Sequence, residues 1–234
     1  MATTEDREAA RADALRQLRM GSQALAEGRL DVAADALVMA ETVFRRLDDT
    51  EHVAESRAEL AEVQRQSGAP EKAGASFERA IALFDTLHLP LREAGATLAL
   101  GHIERQGGKL EAARDHYERA LHLFEEAGNV RGRAAAALAL GHLDAQRGHP
   151  ASAAARYGVA RRLSAEAGDP VGEADAARGQ GDVLIERGRF ADAEEAFARA
   201  LALYRERRDV YGEVDSLIGR GRLAVAQGRL DDAA

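Results

Sequence analysis

The 234-residue sequence contains no cysteine and no tryptophan, and only two of its 32 basic residues, Lys72 and Lys109, are lysines. Without cysteine there are no disulfides, no thiolate nucleophile and no cysteine-based zinc site. Aromatic residues make up 4% of the chain, so alanine and leucine must build most of the core. That suits closely packed helices and not a β-sandwich, which draws on β-branched and aromatic side chains. No apolar run approaches the ~20 residues of a membrane-spanning helix. The opening MATTEDREAA is polar and acidic, unlike a signal peptide. These absences lead us to expect a soluble protein of the cytoplasm. The rarity of lysine beside abundant alanine and glycine points to a GC-rich bacterial genome. A net charge of −8 speaks against a direct, sequence-independent grip on nucleic acid, which rests on a positive surface.

What is present is a repeat. Gly101, Gly141, Gly181 and Gly221 are each forty residues apart, and Gly21 and Ala61 extend the series backwards. Twelve positions after each stands an alanine: Ala33, Ala73, Ala113, Ala153, Ala193 and Ala233. Sixteen after come Leu37, Phe77, Tyr117, Tyr157 and Phe197, and nineteen after come Ala40, Ala80, Ala120, Ala160 and Ala200. A further glycine follows at seven, from Gly28 to Gly228, and the register never slips. Self-similarity at such a period is the mark of a stacked repeat architecture.

Each forty-residue repeat reads as two helices. Glycines such as Gly107 and Gly108 punctuate the middle, where a left-handed cap is required. All four prolines, at 70, 90, 150 and 170, fall where a helix is expected to begin, a position that needs no N–H. The pairs are expected at 5–27/30–47, 51–67/70–87, 91–106/110–127, 131–147/150–167 and 171–187/190–207, with 211–227 alone. Glycine and alanine at helix crossings allow close approach, and the aromatic fills the space beside them. A stripe such as Ala120, Leu121, Leu123 and Phe124 then faces the next repeat, so single hairpins cannot bury it alone.

Glycine, alanine at twelve, an aromatic at sixteen and alanine at nineteen resemble the tetratricopeptide motif in its longer, forty-residue form. The linkers GDPVGEA (168–174) and GNVRGRA (128–134) are similar to those of bacterial and kinesin-light-chain-like long repeats. Two features depart from the motif: Leu37 replaces the first aromatic, and Ala61 the second glycine. The resemblance implies an all-α fold, a right-handed α-solenoid of antiparallel helix pairs in a single array over 1–234. Five repeats would be full (5–47, 51–87, 91–127, 131–167, 171–207) and the sixth, 211–234, partial.

No catalytic constellation emerges. Gly107-Gly108-Lys109 lacks the spacing and the hydroxyl of a phosphate loop, and there is no H-E-x-x-H. Gly179 and Gly181 form a G-x-G, but inside an expected helix. Glu194/Glu195 and Asp231/Asp232 are sequence neighbours, which point apart on a helix and read as a solvated face. We therefore expect no enzyme activity, no cofactor and no metal.

The resemblance places the first helices on the concave surface, which makes their shared faces the candidate site. That face holds Glu55, Glu59, Glu62, Arg65 and Gln66 in the second repeat, and Gly95, Leu98, His102, Arg105 and Gln106 in the third. It continues with His142 and Gln146, then Asp175, Arg178, Asp182 and Glu186, then Asp215 and Arg222. His102, His142 and Asp182 share one register and would form a row. Helices packed ~8–10 Å apart do not readily share a metal through imidazoles, so the row reads as partner contact or plain surface rather than a metal site. An uncharged centre between acidic flanks suits a protein or peptide partner with basic residues, and no membrane or nucleic acid. Family members that hold acidic chaperone tails use asparagine with lysine or arginine on this face. Its lack of asparagine argues against that partner. The sixth first helix carries Val214, Leu217, Ile218, Leu223 and Val225 before Leu230-Asp231-Asp232-Ala233-Ala234 begins what resembles another helix. Either more chain follows or this end supports self-association.

Overall fold

The computed structural model describes residues 3–229, and among these the chain forms eleven α-helices and no strand. They fall into two compact units, one ending at Lys109 and the other beginning at Leu110. The first holds α1 (Thr4–Ala26), α2 (Leu30–Arg46), α3 (Thr50–Gln66), α4 (Pro70–Thr86) and α5 (Pro90–Gln106). The second holds α6 (Leu110–Glu126), α7 (Val130–Gln146), α8 (Pro150–Glu166), α9 (Pro170–Glu186), α10 (Phe190–Arg207) and α11 (Val210–Ala226). The helix pairs expected from the repeat are all present, and each proline opens its helix. Ala233 and the expected helix start at Leu230 lie outside the described residues.

Local chemistry explains why the helices stop every twenty residues. The chain turns into the left-handed region at Gly28, Asp48, Gly68, His88, Gly108, Gly128 and onward to Gly228, at an unbroken spacing of twenty. At Gly128, the following N–H of Asn129 reaches back to the Phe124 carbonyl at 2.8 Å, closing the helix end. Of the paired Gly107 and Gly108, only Gly108 takes the left-handed turn. The next helix is then started by a side chain: Asp49, Asn129, Asp169 and Asp209 each accept a backbone N–H three residues on.

Consecutive helices pack on each other within each unit, so both are stacks of helix pairs, the architecture of an α-solenoid. First helices also contact first helices: α1 meets α3, α7 meets α9, and α9 meets α11. No two second helices make a comparable contact among the described residues. The first-helix layer is therefore the tighter one and forms the inner side of each unit.

Aromatic side chains fill the layer between. Tyr117, Tyr157 and Phe197 are buried, as the repeat predicts. A second series not anticipated from sequence, twenty-three positions after each lead glycine or alanine, is buried too: Phe44, Phe84, Phe124 and Tyr204, with Ser164 as the exception. Burying such rings contributes roughly 1.5–3 kcal/mol each. Buried carboxylates are matched by arginines. Asp144 accepts from Arg114 at 2.7 Å, Glu173 from Arg199 at 2.6 Å, and Glu41 is paired with Arg45 and Arg57.

Candidate functional site

Glycines draw the helices of the second unit together. A β-carbon on Gly141 would stand 2.7 Å from the Tyr157 ring, and one on Gly179 would stand 2.8 Å from the same ring. Phe197 is held in the same way between Gly181 and Gly219. Gly132 lies against Phe124, Gly172 against Ser164, and Gly212 against Tyr204. Helices α9 and α11 thus approach the preceding second helix at two glycine positions, thirty-one and thirty-eight residues after a lead glycine, whereas α7 has Gly132 at the first and Ala139 at the second.

The first unit has side chains at the same register positions. They are His52 and Glu59 on α3, and Arg92 and Ala99 on α5. His52 stacks on Phe44 with ring centroids 4.8 Å apart. Between α1, α3 and α5 lies an open groove of about 720 Å³. Its floor is apolar: Leu25 and Ala26 of α1, Ala58 of α3, Phe77 and Phe84 of α4, and Ala96 and Ala99 of α5. Gly95 widens it further, for a β-carbon there would meet nothing within 4 Å.

One wall of this groove is acidic. Glu55, Glu59, Glu62 and Gln66 line it from α3, facing Ser22 of α1 and Arg92 of α5. Arg92 approaches Glu55 and Glu51, each at 3.3 Å. Glu62 is occupied by its own helix, accepting from Arg65 at 2.7 Å and from Gln66 at 2.7 Å. Glu59 is different. Its one hydrogen bond is from the Ser22 hydroxyl, at 2.6 Å, and among the described residues no cation lies within ion-pair distance. Burial lifts its carboxyl above the usual range against the Ser22 bond, and Glu55 adds to the rise.

The other candidate residues stand outside the groove lining. His102, on α5, is half-buried. Burial, with Arg105 and Arg65 nearby and Glu62 opposing, pushes its imidazole down to about 4. Gln106 is exposed at the helix end. In the second unit the candidates are engaged with their neighbours. His142 Nδ1 lies 2.9 Å from the Tyr157 hydroxyl. The Tyr204 hydroxyl donates to Asp175 at 2.6 Å, and Arg222 donates to Asp182 at 2.5 Å with Arg178 3.9 Å away. Gln146 and Glu186 are exposed. His142 and Asp182 sit on α7 and α9, which pack together, whereas His102 belongs to the first unit. No group of three or more acidic or histidine side chains suited to a metal occurs among the described residues. Nor is any described helix long and apolar enough to cross a membrane.

Sequence reasoning named the acidic wall but missed Ser22, Arg92 and the floor. Phe77 read simply as the repeat's packing aromatic, Phe84 was not singled out, and Gly179 was given no packing role. The available signal was comparative: glycine recurs at 132, 172, 179, 212 and 219 but not at 52, 59, 92 and 99.

The soluble NSF attachment protein (SNAP) family model matches residues 25–167, more than half the chain. The tetratricopeptide repeat model matches residues 138–208 and 178–234. The chain belongs to the tetratricopeptide-repeat family. The two matches overlap on one uninterrupted forty-residue register, so the attachment-protein match covers the same hairpin series. No curated protein matches the sequence. Among solved structures, BtubC (BKLC) from P. vanneervenii is 19% identical, over 94% of this chain and 86% of that one, with a TM-score of 0.71. A Rap protein complexed with competence and sporulation factor is 18% identical over 94% of this tetratricopeptide chain, with a TM-score of 0.78. A signal-transduction ATPase with a tetratricopeptide repeat sensor, from Pyrococcus horikoshii, is 14% identical over 96% of it, with a TM-score of 0.81. The chain spans 62% of that Rap protein and 35% of that ATPase. At these identities the likeness is one of fold.

Proposed function

We propose that this protein is a protein-protein interaction module that holds a peptide or helix of its partner against the first helices, chiefly in the groove of the first unit. The observation that carries this reading is the open groove between α1, α3 and α5, with its phenylalanine floor and acidic wall. Concave sites with apolar lining and a few placed polar groups are where ligands bind. The reading is one of binding, with no catalytic step assigned to the chain, and it places the protein in the cytoplasm. Its remaining contacts would come from His102, Arg105, Gln106, His142, Gln146, Asp175, Arg178, Asp182, Glu186 and Arg222 on the other first helices.

A photo-crosslinking amino acid at Gln66, on the groove rim, compared with one at the exposed turn residue His88, tests this reading in cells. A defined adduct at 66 that is absent at 88 supports it. The same adducts at both positions, or none at 66, count against it.

A second reading, a sensor or regulatory segment of a larger signalling protein, draws support from the likeness to the sensor-bearing ATPase and to the Rap protein complexed with competence and sporulation factor. A full-length reading frame with a nucleotide-binding or DNA-binding domain would favour it. Self-association is a third, suggested by the bare face of α11, where Tyr211 is 88% exposed beside Val210, Val214 and Ile218. Sedimentation equilibrium of the chain and of a Tyr211→Ser, Ile218→Ser variant decides that point.

A further inference from the structure

We infer that the groove of the first unit selects a partner segment with an arginine or lysine next to an apolar side chain, the cation meeting Glu59 and the apolar group resting on the Phe84 floor. This deepens the reading above and rests on it.

Glu59 carries the argument. It is a half-buried carboxylate lining an apolar groove, holding one neutral hydrogen bond from Ser22 and, among the described residues, no cation. Elsewhere the fold pairs its buried acids: Asp144 with Arg114, Glu173 with Arg199, Glu41 with two arginines. A desolvated charge without a counter-charge is costly, and a ligand cation relieves that cost on binding. The neighbours Glu55 and Glu62 add negative potential to the same wall.

Gly95 is the independent second observation. Mid-helix glycine costs roughly 0.5–1 kcal/mol relative to alanine. At Gly141, Gly179 and Gly219 a ring occupies the space that a β-carbon would need. At Gly95 nothing of the protein does. Gly95 lines the same groove as Glu59, from α5, and the open space beside it lets a ligand's main chain approach the helix closely.

Phage-displayed short random peptides, panned on the full chain, test the inference. Gly95→Phe, and Gly95→Leu as a second block, fill open space and should retain the fold by circular dichroism. The expected result is a set of peptides that bind the native chain, fail on both blocked variants, and share one arginine or lysine beside an apolar residue. With a synthetic copy of the best peptide, Glu59→Gln should weaken binding by about tenfold or more. Replacing the peptide's arginine with citrulline should cost the same, and the two changes together little more. Groove-dependent peptides with no fixed cation, or equal binding to Glu59→Gln, would overturn the inference and leave the groove reading standing. If no peptide distinguishes the native chain from the blocked variants, both fall.

Discussion

The ring of Tyr157 occupies the space that a side chain on Gly179 would need, 2.8 Å from where the β-carbon would be. Gly141 crowds the ring's other approach at 2.7 Å, and the Tyr157 hydroxyl is tied to His142. The ring has nowhere to retreat. Gly179→Ala should therefore destabilise the protein by about 1–3 kcal/mol despite alanine's better helix propensity. Urea unfolding with an unchanged slope and a lower midpoint would show it.

The same substitution at Gly95 should act in the opposite sense. A methyl group there enters open space in a helix interior, so only the gain in backbone order remains. Gly95→Ala should raise stability by roughly 0.5–1 kcal/mol, read by the same urea titration. The two variants together separate glycines that serve packing from one that leaves a groove open.

The left-handed turns carry another asymmetry. His88 adopts φ 54° at an exposed turn where most of the series has glycine. A non-glycine residue in that region costs roughly 1–2 kcal/mol, partly offset because glycine has more freedom to lose on folding. His88→Gly is expected to stabilise by about 0.5–1 kcal/mol, raising the thermal midpoint by a few degrees.

His102 gives a pH dependence. Its imidazole is held down to about 4 in the fold from an ordinary 6.5, chiefly by burial and then by Arg105 and Arg65. The unfolded chain therefore takes up this proton first as pH falls. The contribution is fully present above about 6.5 and is lost progressively between there and about 4. With the ring's remaining exposure allowed for, the loss is on the order of 1–2 kcal/mol. A His102→Gln variant should show that much less loss of stability between pH 7 and pH 4.

The repeat made the fold legible because each signal has one physical meaning. Glycine at seven is a left-handed turn, proline is a first helical residue, and the aromatic at sixteen is buried against the lead glycine, as Gly181 and Phe197 show. The acidic face was legible too, since Glu55, Glu59 and Glu62 share one side of α3. The groove itself was not. Its lining comes from four helices, α1, α3, α4 and α5, and no single helical spacing links Leu25, Phe84 and Ala99. The second aromatic series escaped notice because Ser164 interrupts it. The partners of Asp175 and Asp182, Tyr204 and Arg222, lie twenty-nine and forty residues away, beyond any helical spacing.

Ala99 and Ala139 occupy the same place in successive repeats, yet Ala99 lines the groove whereas Ala139 is 2% exposed. Because the chain has no cysteine, a single cysteine at either position reports on its surroundings without background. The deciding measurement is the rate at which a bulky maleimide labels Ala99→Cys, with Ala139→Cys and the exposed His88→Cys as references. The account predicts that Ala99→Cys reacts within about tenfold of His88→Cys and is protected when a selected peptide is bound. Labelling as slow as at Ala139→Cys, or no protection by bound peptide, would contradict it.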